Sequence, residues 1–245
     1  MIKIVAKSID LLEYASTHQD GFRITDVVKD LEIPKSTAFN IIYTLVSKEM
    51  LEIKNQDKKI FTLGPKCYAI GIQYINKHSI LDIVNPELEK LGNLLSSTVF
   101  MGTLDNNKVL YIFKYSPSTA VLDLCTIGTR ADVYCTALGK SLVAFQEDFD
   151  FGSIKFQKYT ENTILSLDEF LKHLDITKEK GYSIDNQEVR ESVVCVAAPI
   201  FNEKGKVEYA ISTSSLYSSS LNIEQKAKLV INTANAISRK LGYNP

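Results

Sequence analysis

Apolar residues recur at helical spacing along the start of the chain. Val5, Ile9 and Leu12 are separated by four and three residues, which predicts a first amphipathic helix. After the polar segment 18–21, a second and shorter group of apolar positions ends at Leu31. Thr25 lies where its side chain can cap the start of this helix. We therefore expect two short helices in this part of the chain.

A third helical pattern follows Pro34 and leads into a hairpin. Proline disfavours helix at the residue before it, so the second and third helices are joined by a tight turn. The apolar positions of the third helix are Ala38, Ile41, Ile42 and Leu45. Two β-rich runs then flank the polar segment 55–59, which predicts a hairpin. Three helices and a hairpin are the order of a winged helix-turn-helix, which we expect to cover residues 1–64.

The polar face of the third helix carries groups suited to DNA. A helix fits the major groove, where hydroxyl and amide groups can bond base edges, and lysines at the hairpin can reach phosphates. The candidate DNA-binding residues are Lys35, Ser36, Thr37, Phe39, Asn40, Tyr43, Thr44, Lys54, Lys58 and Lys59. Ser36, Thr37, Asn40 and Tyr43 are expected nearest the bases. A small helical domain with a merely solvated polar face is the other interpretation of this pattern.

The rest of the chain mixes helical and β-rich segments. Residues 65–79 are predicted to form a linker helix, and residues 80–245 a second domain. The predicted strands are 98–104, 108–113, 120–125, 193–201 and 206–213, and the predicted helices are 80–95, 136–145, 167–180 and a last helix over 227–241. This order predicts an α+β domain with an antiparallel sheet. The fold class is therefore α/β with two domains.

The linker helix has an apolar stripe with two interpretations. Cys67, Ile70 and Tyr74 lie along one side of it. The stripe fits either the pairing of two protomers or packing of the helix on its own domain. Two-fold pairing would place two recognition helices on successive turns of DNA, about 34 Å apart.

Composition and charge narrow the class of protein. The 245 residues include 28 Lys and Arg, 29 Asp and Glu, and 45% hydrophobic residues, which excludes a disordered or collagen-like chain. Residues 1–80 carry 11 basic and 9 acidic residues, so any DNA contact depends on local placement of charge. The sequence has no apolar run of roughly 18 residues and no signal-peptide pattern at its start. We expect a cytoplasmic protein with no membrane partner.

The cysteines and histidines do not indicate an enzyme or a metal site. Cys67, Cys125, Cys135 and Cys195 are too far apart for a zinc pair or a disulfide scaffold. A cysteine nucleophile also needs a nearby base, and the histidines lie in other segments, at positions 18, 78 and 173. No nucleotide-binding glycine motif is present. We expect neither catalysis nor a cofactor.

Several motifs together resemble the IclR-type bacterial transcriptional regulators. Segments 33–37 (IPKST) and 61–64 (FTLG) resemble the DNA-binding domain of that family. Segments 135–140 (CTALGK), 181–201 and 210–214 (AISTS) resemble its effector domain. The resemblance implies a GAF-like effector domain and a repressor that senses a small organic acid or a related metabolite. It also implies a homodimer or homotetramer on a pseudo-palindromic operator in double-stranded DNA.

The sequence departs from the family at a few positions. Relatives usually carry a basic residue in place of Asn40 and often a histidine in place of Phe39. Because asparagine can bond adenine, we expect an operator richer in A·T pairs. Asp132 and Tyr134 replace the proline and histidine that relatives tend to have, so we expect a different rim around the effector pocket.

The candidate effector site combines a helix start with strand residues. Amide groups in the first turn of the helix near residue 136 can bind a carboxylate, and polar strand residues can orient it. The candidate effector-binding residues, which match the positions of the family's pocket, are Thr136, Ala137, Leu138, Asp185, Val193, Cys195, Ser212 and Ser214. Each also has a purely structural interpretation, such as a buried strand cysteine or a turn-capping aspartate. A ligand-independent DNA binder and a cysteine-dependent enzyme remain as alternatives.

Overall fold

The structure is a computed structural model that describes residues 2–18, 20–77, 80–123, 125–218 and 220–244. The chain divides into two compact units, residues 1–79 and residues 80–245. Among the described residues, no helix combines the length and the apolar character that crossing a membrane requires.

The first unit has the predicted order of three helices and a hairpin. Its elements are α1 (Lys3–Thr17), α2 (Ile24–Asp30), α3 (Lys35–Ser47), β1 (Leu51–Asn55), β2 (Ile60–Leu63) and α4 (Pro65–Lys77). Strands β1 and β2 are antiparallel, with Leu51 opposite Leu63. This order confirms the winged helix-turn-helix. The linker role of residues 65–79 stays a prediction, and residues 78 and 79, like the side chain of Tyr74, lie outside the described residues.

The predicted apolar face of α1 is wrong at two of its three positions, Val5 and Ile9. Leu11 and Ala15 are the buried residues of this helix, whereas Val5 and Ile9 are each 52% exposed. The core of the unit contacts only the C-terminal half of α1, where Leu12 also packs against the core. Spacing alone identified an amphipathic helix but not the side on which its core lies.

The start of α2 also differs from the prediction. The helix begins at Ile24, so the residue before it is Arg23 and not Thr25. The Asp26 carboxylate accepts a hydrogen bond from the Arg23 amide at 2.8 Å. A side chain three residues into the helix therefore bonds the amide group of the residue that precedes the helix, as in a capping box.

The second unit is a six-stranded antiparallel sheet with helices on both faces. Its elements are α5 (Ile80–Leu95), β3 (Val99–Asp105), β4 (Lys108–Tyr115), β5 (Arg130–Asp132), α6 (Ala137–Val143), α7 (Leu167–Lys180), β6 (Ser183–Asn186), β7 (Val193–Phe201), β8 (Val207–Leu216) and α8 (Ile223–Lys240). The strand order is β5-β4-β3-β8-β7-β6. The predicted α+β domain with an antiparallel sheet is confirmed.

The strand predicted at 120–125 is wrong. Residues 120–123 and Cys125 form no strand, Leu124 lies outside the described residues, and Val121 is 79% exposed. The partner of β4 at this edge is instead β5, with Lys108 opposite Asp132. The apolar pattern of residues 120–125 predicted the wrong strand, because the strand that pairs with β4 comes later in the chain and is only three residues long. The sequence placed Asp185 on a strand but did not predict the limits of this short edge strand, β6.

The two faces of the sheet carry different cores. Alternate residues of β7 point to opposite sides. Ala197 belongs to the cluster around α6 and α7, whereas Val196 and Ala198 belong to the cluster around α5 and α8. Cys195 packs against the first of these clusters. This alternation places the candidate effector residues of β7 on the side of the sheet that α6 covers.

Candidate functional site

The first candidate site is the exposed face of α3. Ala38, Ile41 and Ile42 are buried against the core of the unit, so the opposite face of the helix is turned outward. Lys35, Ser36, Phe39, Asn40 and Thr44 are exposed, and Thr37 and Tyr43 are half-buried. All the candidate residues of α3 therefore remain on or near the surface.

Two of these residues are committed to contacts within the unit. The Tyr43 ring stacks obliquely on Phe39, with centroids 4.4 Å apart, and meets Phe61 edge-on. The Thr44 hydroxyl donates to the Asn40 carbonyl oxygen at 2.7 Å. The side chains of Ser36 and Asn40 make no such contacts among the described residues, so they are better placed to form hydrogen bonds with DNA.

The hairpin carries the candidate lysines at its tip. Lys58 and Lys59 are exposed, and no ion pair occupies either of them in the part of the chain that is described. The Asn55 side chain accepts a hydrogen bond from the Lys58 amide at 2.8 Å, which fixes the turn. Lys54 donates to the Asp20 carbonyl oxygen at 3.3 Å. The tip therefore presents positive charge on a defined turn.

The second candidate site is a cavity of about 110 Å³ in the second unit. All eight candidate effector residues line it, although they come from four separate segments of the chain. The other lining residues are Phe100, Tyr111, Cys125, Ala131, Val189 and Arg190. The structure thus brings together the residues that the motifs singled out.

The sequence analysis did not select the other lining residues, and the reason differs from one to the next. Val189 and Arg190 end the motif at 181–190, so that motif contained them without marking their role. Tyr111 lies on β4, and only the pairing of β4 with β3 brings its ring against Phe100, with centroids 5.6 Å apart. Cys125 belongs to the segment that was predicted to be a strand.

The predicted change at the pocket rim is not found. Asp132 and Tyr134 do not line the cavity. Asp132 accepts hydrogen bonds from Lys108 at 2.8 Å and from the Tyr159 hydroxyl at 2.6 Å. The Tyr134 hydroxyl donates to the Gln157 carbonyl oxygen at 2.9 Å. Both side chains are therefore held by neighbours outside the cavity.

The start of α6 forms one wall of the cavity. The Thr136 hydroxyl caps the helix by accepting from the Gly139 amide at 3.1 Å and donates to the Asp132 carbonyl oxygen at 2.8 Å. As residues of the first turn, Ala137 and Leu138 have no carbonyl partner within the helix. Both residues line the cavity, and binding of a carboxylate by their amide groups stays a prediction.

A buried carboxyl group forms another part of the wall. Asp185 is 5% exposed and accepts a hydrogen bond from the Glu188 amide at 2.7 Å. Burial raises the pKa of Asp185 to about 7, although the amide hydrogen bond acts in the opposite direction. The group therefore changes its charge near neutral pH.

An ion pair lies directly behind Asp185. Lys140 on α6 contacts both carboxylate oxygens of Glu188, at 2.5 and 2.6 Å, and donates to the Ile184 carbonyl oxygen at 2.7 Å. Burial raises the pKa of Glu188, and the contact with Lys140 counteracts this effect. The pair fixes the turn that follows β6.

Apart from the cationic Arg190, the remaining polar groups of the cavity are neutral near pH 7. Burial raises the pKa values of Tyr111, Cys125 and Cys195 above their ordinary values. The Ser214 hydroxyl is buried and has no hydrogen-bond partner among the described residues. A buried hydroxyl without a partner is costly, so the cavity favours a ligand that can bond it.

The described residues offer little for catalysis or metal binding. Among them, no group of three or more His, Cys, Asp or Glu side chains could hold a metal ion. The cavity is lined by two cysteines and no histidine. With their pKa values raised, these thiols stay protonated and are poor nucleophiles.

Comparison with known proteins gives consistent matches along the chain. Residues 4–53 match the model of the IclR helix-turn-helix domain, and residues 72–239 match that of the bacterial transcriptional regulator IclR C-terminal domain. The DNA-binding transcriptional repressor YiaJ of Escherichia coli is 27% identical over 246 residues, which are 97% of this chain and 87% of the relative.

Solved structures show the same fold. An IclR transcriptional regulator from Alicyclobacillus acidocaldarius superposes with a TM-score of 0.85 at 21% identity, covering 98% of each chain. An IclR homologue from Microbacterium hydrocarbonoxydans, complexed with 4-hydroxybenzoate, superposes with a TM-score of 0.80 at 17% identity, covering 97% of this chain and 98% of the other.

These matches decide between the classes of function that the sequence left open. Both matching models describe transcriptional regulators, so the interpretation as a cysteine-dependent enzyme is wrong. The chain belongs to the IclR family of bacterial helix-turn-helix transcriptional regulators.

Proposed function

We propose that this regulator is a repressor whose affinity for its operator changes when a small organic acid binds in the cavity of the second unit. It acts as a homodimer or homotetramer on a pseudo-palindromic site in double-stranded DNA. Because the DNA of a bacterium lies in its cytoplasm, the protein works there. Residues 65–79 serve as the linker between its two domains, 1–64 and 80–245.

The observation that supports the effector proposal is that all the candidate effector-binding residues line one cavity. Eight residues chosen from separate motifs all line it, and one of them, Ser214, has a buried hydroxyl without a partner among the described residues. The cavity also combines apolar walls with a few polar groups, which is the usual character of a small-molecule site.

The DNA proposal rests on the exposed side chains of α3. The Asn40 amide can bond adenine in two places, and an exposed apolar ring such as Phe39 can contact the methyl group of thymine. Ser36 and Thr37 contact bases or phosphates at the start of the helix, and Lys35, Lys54, Lys58 and Lys59 contact phosphates. Tyr43 and Thr44 mainly stabilise α3, because the Tyr43 ring packs against Phe39 and the Thr44 hydroxyl donates to the Asn40 carbonyl oxygen.

Operator selection tests the DNA proposal. Purified protein is mixed with fragmented genomic DNA, and the retained fragments are sequenced. We expect an A·T-rich pseudo-palindrome whose half-sites are about one helical turn apart, or a multiple of it. A G·C-rich consensus would contradict the roles of Asn40 and Phe39, and retention without sequence preference would contradict the repressor. The neighbouring genes would identify the pathway and narrow the effector.

A ligand screen tests the effector proposal. Thermal unfolding is measured with pyruvate, lactate and 4-hydroxybenzoate, since a bound effector stabilises the folded state. Ser212→Phe fills the cavity and is expected to abolish the stabilisation while leaving operator binding intact. Ser118→Phe places the same ring on an exposed loop and is the matched control. No stabilisation by any acid, or stabilisation that Ser212→Phe retains, would contradict this assignment.

A further inference from the structure

The cavity contains a carboxyl group that lacks a counter-ion. The side chain of Lys140 is the buried cation behind Asp185, but its three N–H groups are already used by the two Glu188 oxygens and the Ile184 carbonyl oxygen. Asp185 itself accepts hydrogen bonds from the backbone amides of Glu188 and Val189, which carry no net charge. The Lys140–Glu188 pair is therefore neutral as a whole and leaves Asp185 uncompensated.

The other groups around Asp185 do not supply the missing charge. The titratable and charged groups that face it or its cavity are Tyr111 on β4, Cys125 before β5, Cys135 before α6, Lys140 on α6, Glu188 and Arg190 after β6, and Cys195 on β7. Burial raises the pKa values of the phenol and the thiols, so these groups are neutral near pH 7. Two cations remain among the described residues. Arg190 is exposed, and Lys226 lies on α8, on the other face of the sheet, where it donates to the Ser214 carbonyl oxygen at 3.5 Å.

We propose that an anionic effector enters this cavity together with one proton, which is taken from solvent by the carboxylate of Asp185. An effector carboxylate beside an ionised Asp185 would place two like charges in a space of about 110 Å³. Two carboxylates that share a site cannot both stay ionised, so one of them takes a proton. The inference rests on the proposed function and specifies the chemistry of its ligand.

Proton uptake decides what the effector presents to the protein. Protonated Asp185 donates a hydrogen bond, so it selects an effector with an acceptor oxygen at that position. The exposed guanidinium of Arg190 pairs with the effector carboxylate, and the unpartnered Ser214 hydroxyl bonds a hydroxyl or carbonyl oxygen. The ligand class is therefore a monoanionic hydroxy or oxo acid. A second negative charge or an ammonium group would oppose this arrangement.

Calorimetric titration of the full-length protein tests the inference directly. The probe is whichever of pyruvate, lactate and 4-hydroxybenzoate stabilises the protein most. Binding is measured at pH 8 in buffers with different ionisation enthalpies, which gives the number of protons taken up. We expect close to one proton per bound probe and an affinity that falls by up to about tenfold per pH unit above pH 7.

Two substitutions provide the comparison. Asp185→Asn keeps the shape of the side chain but cannot titrate, so any residual binding should take up no proton and lose its dependence on pH. Asp175→Asn removes a carboxylate from the exposed surface of α7 and should leave the uptake unchanged. Thermal unfolding of both variants verifies that they are folded.

The outcomes separate this inference from the proposed function. If a probe binds the wild-type cavity without proton uptake, the inference is overturned and the proposed function stands. The same holds if Asp185→Asn takes up as many protons as the wild type. If none of the three acids binds between pH 5 and pH 8, the proposed function fails and the inference fails with it.

Discussion

Gly139 is the position where the contact between α6 and the preceding loop leaves no room for a side chain. A Cβ atom there would overlap the Cα and the carbonyl oxygen of Val133 and would lie 2.7 Å from the Thr136 hydroxyl. Backbone atoms cannot rotate out of the way as side chains can. Gly139→Ala must therefore push α6 away from Val133 and with it the cavity wall formed by residues 136–138.

The size of the effect follows from opposing contributions. Replacing glycine with alanine inside a helix ordinarily stabilises it by up to about 1 kcal/mol. Overpacking a buried contact costs about 1–3 kcal/mol, and loss of the Thr136 cap costs about 1 kcal/mol more. We expect Gly139→Ala to lower the free energy of unfolding by about 1–3 kcal/mol and to weaken acid binding.

Urea unfolding followed by far-UV circular dichroism measures the stability, and calorimetry measures acid binding. The control is Gly71→Ala in α4, where a Cβ atom has nothing within 4 Å. It should be neutral or stabilising by up to about 1 kcal/mol, with acid binding unchanged. If Gly139→Ala behaved like Gly71→Ala in both assays, the close contact at Val133 would not define the cavity wall.

Other predictions concern charge. The pKa of Asp185 is about 7 in the folded protein and about 3.9 in an unfolded chain. As the pH rises from 4 to 8, the wild type should therefore lose up to about 4 kcal/mol of unfolding free energy relative to Asp185→Asn. Parallel pH profiles of the two proteins would refute this. Burial lowers the pKa of Lys226 to about 8, so between pH 8 and 10 wild type should gain stability relative to Lys226→Met, and a loss would contradict the direction. Lys58→Ala should reduce the salt dependence of operator binding by about one unit of slope, whereas exposed Lys178→Ala in the other unit should not.

The sequence predicted best those features that local chemistry specifies. The limits of α7 were predicted as observed, because Gly181 ends that helix with a φ of +72° and Ser166 caps its start. The hairpin between β3 and β4 likewise turns at Asn106 and Asn107, both of which have positive φ. In such places the residue types alone define the backbone.

Two features that depend on distant pairing were not predicted, namely the strand beside β4 and part of the cavity lining. The apolar pattern of residues 120–125 looked like a strand, yet the edge of β4 pairs with β5, which comes after this segment. Tyr111 and Arg190 line the cavity only because strand register and a turn bring them to it. The exposed stripe of α1 shows the same limit, since periodicity gives the spacing of a face but not its partner.

Thermodynamic linkage connects the two candidate sites, although they belong to different units of the chain. All cavity-lining residues belong to the second unit, and the candidate DNA-binding residues belong to the first. An effector can therefore change operator affinity only if it binds two arrangements of the protein with different affinities. The coupling must then be reciprocal: if the acid weakens operator binding by some factor, saturating operator DNA must weaken acid binding by the same factor.

Calorimetric titration of the acid into protein alone and into the operator complex measures one factor, and DNA-binding titrations with and without the acid measure the other. Unequal factors would show that the acid acts through a second site or through a change of oligomeric state, and not through the cavity alone.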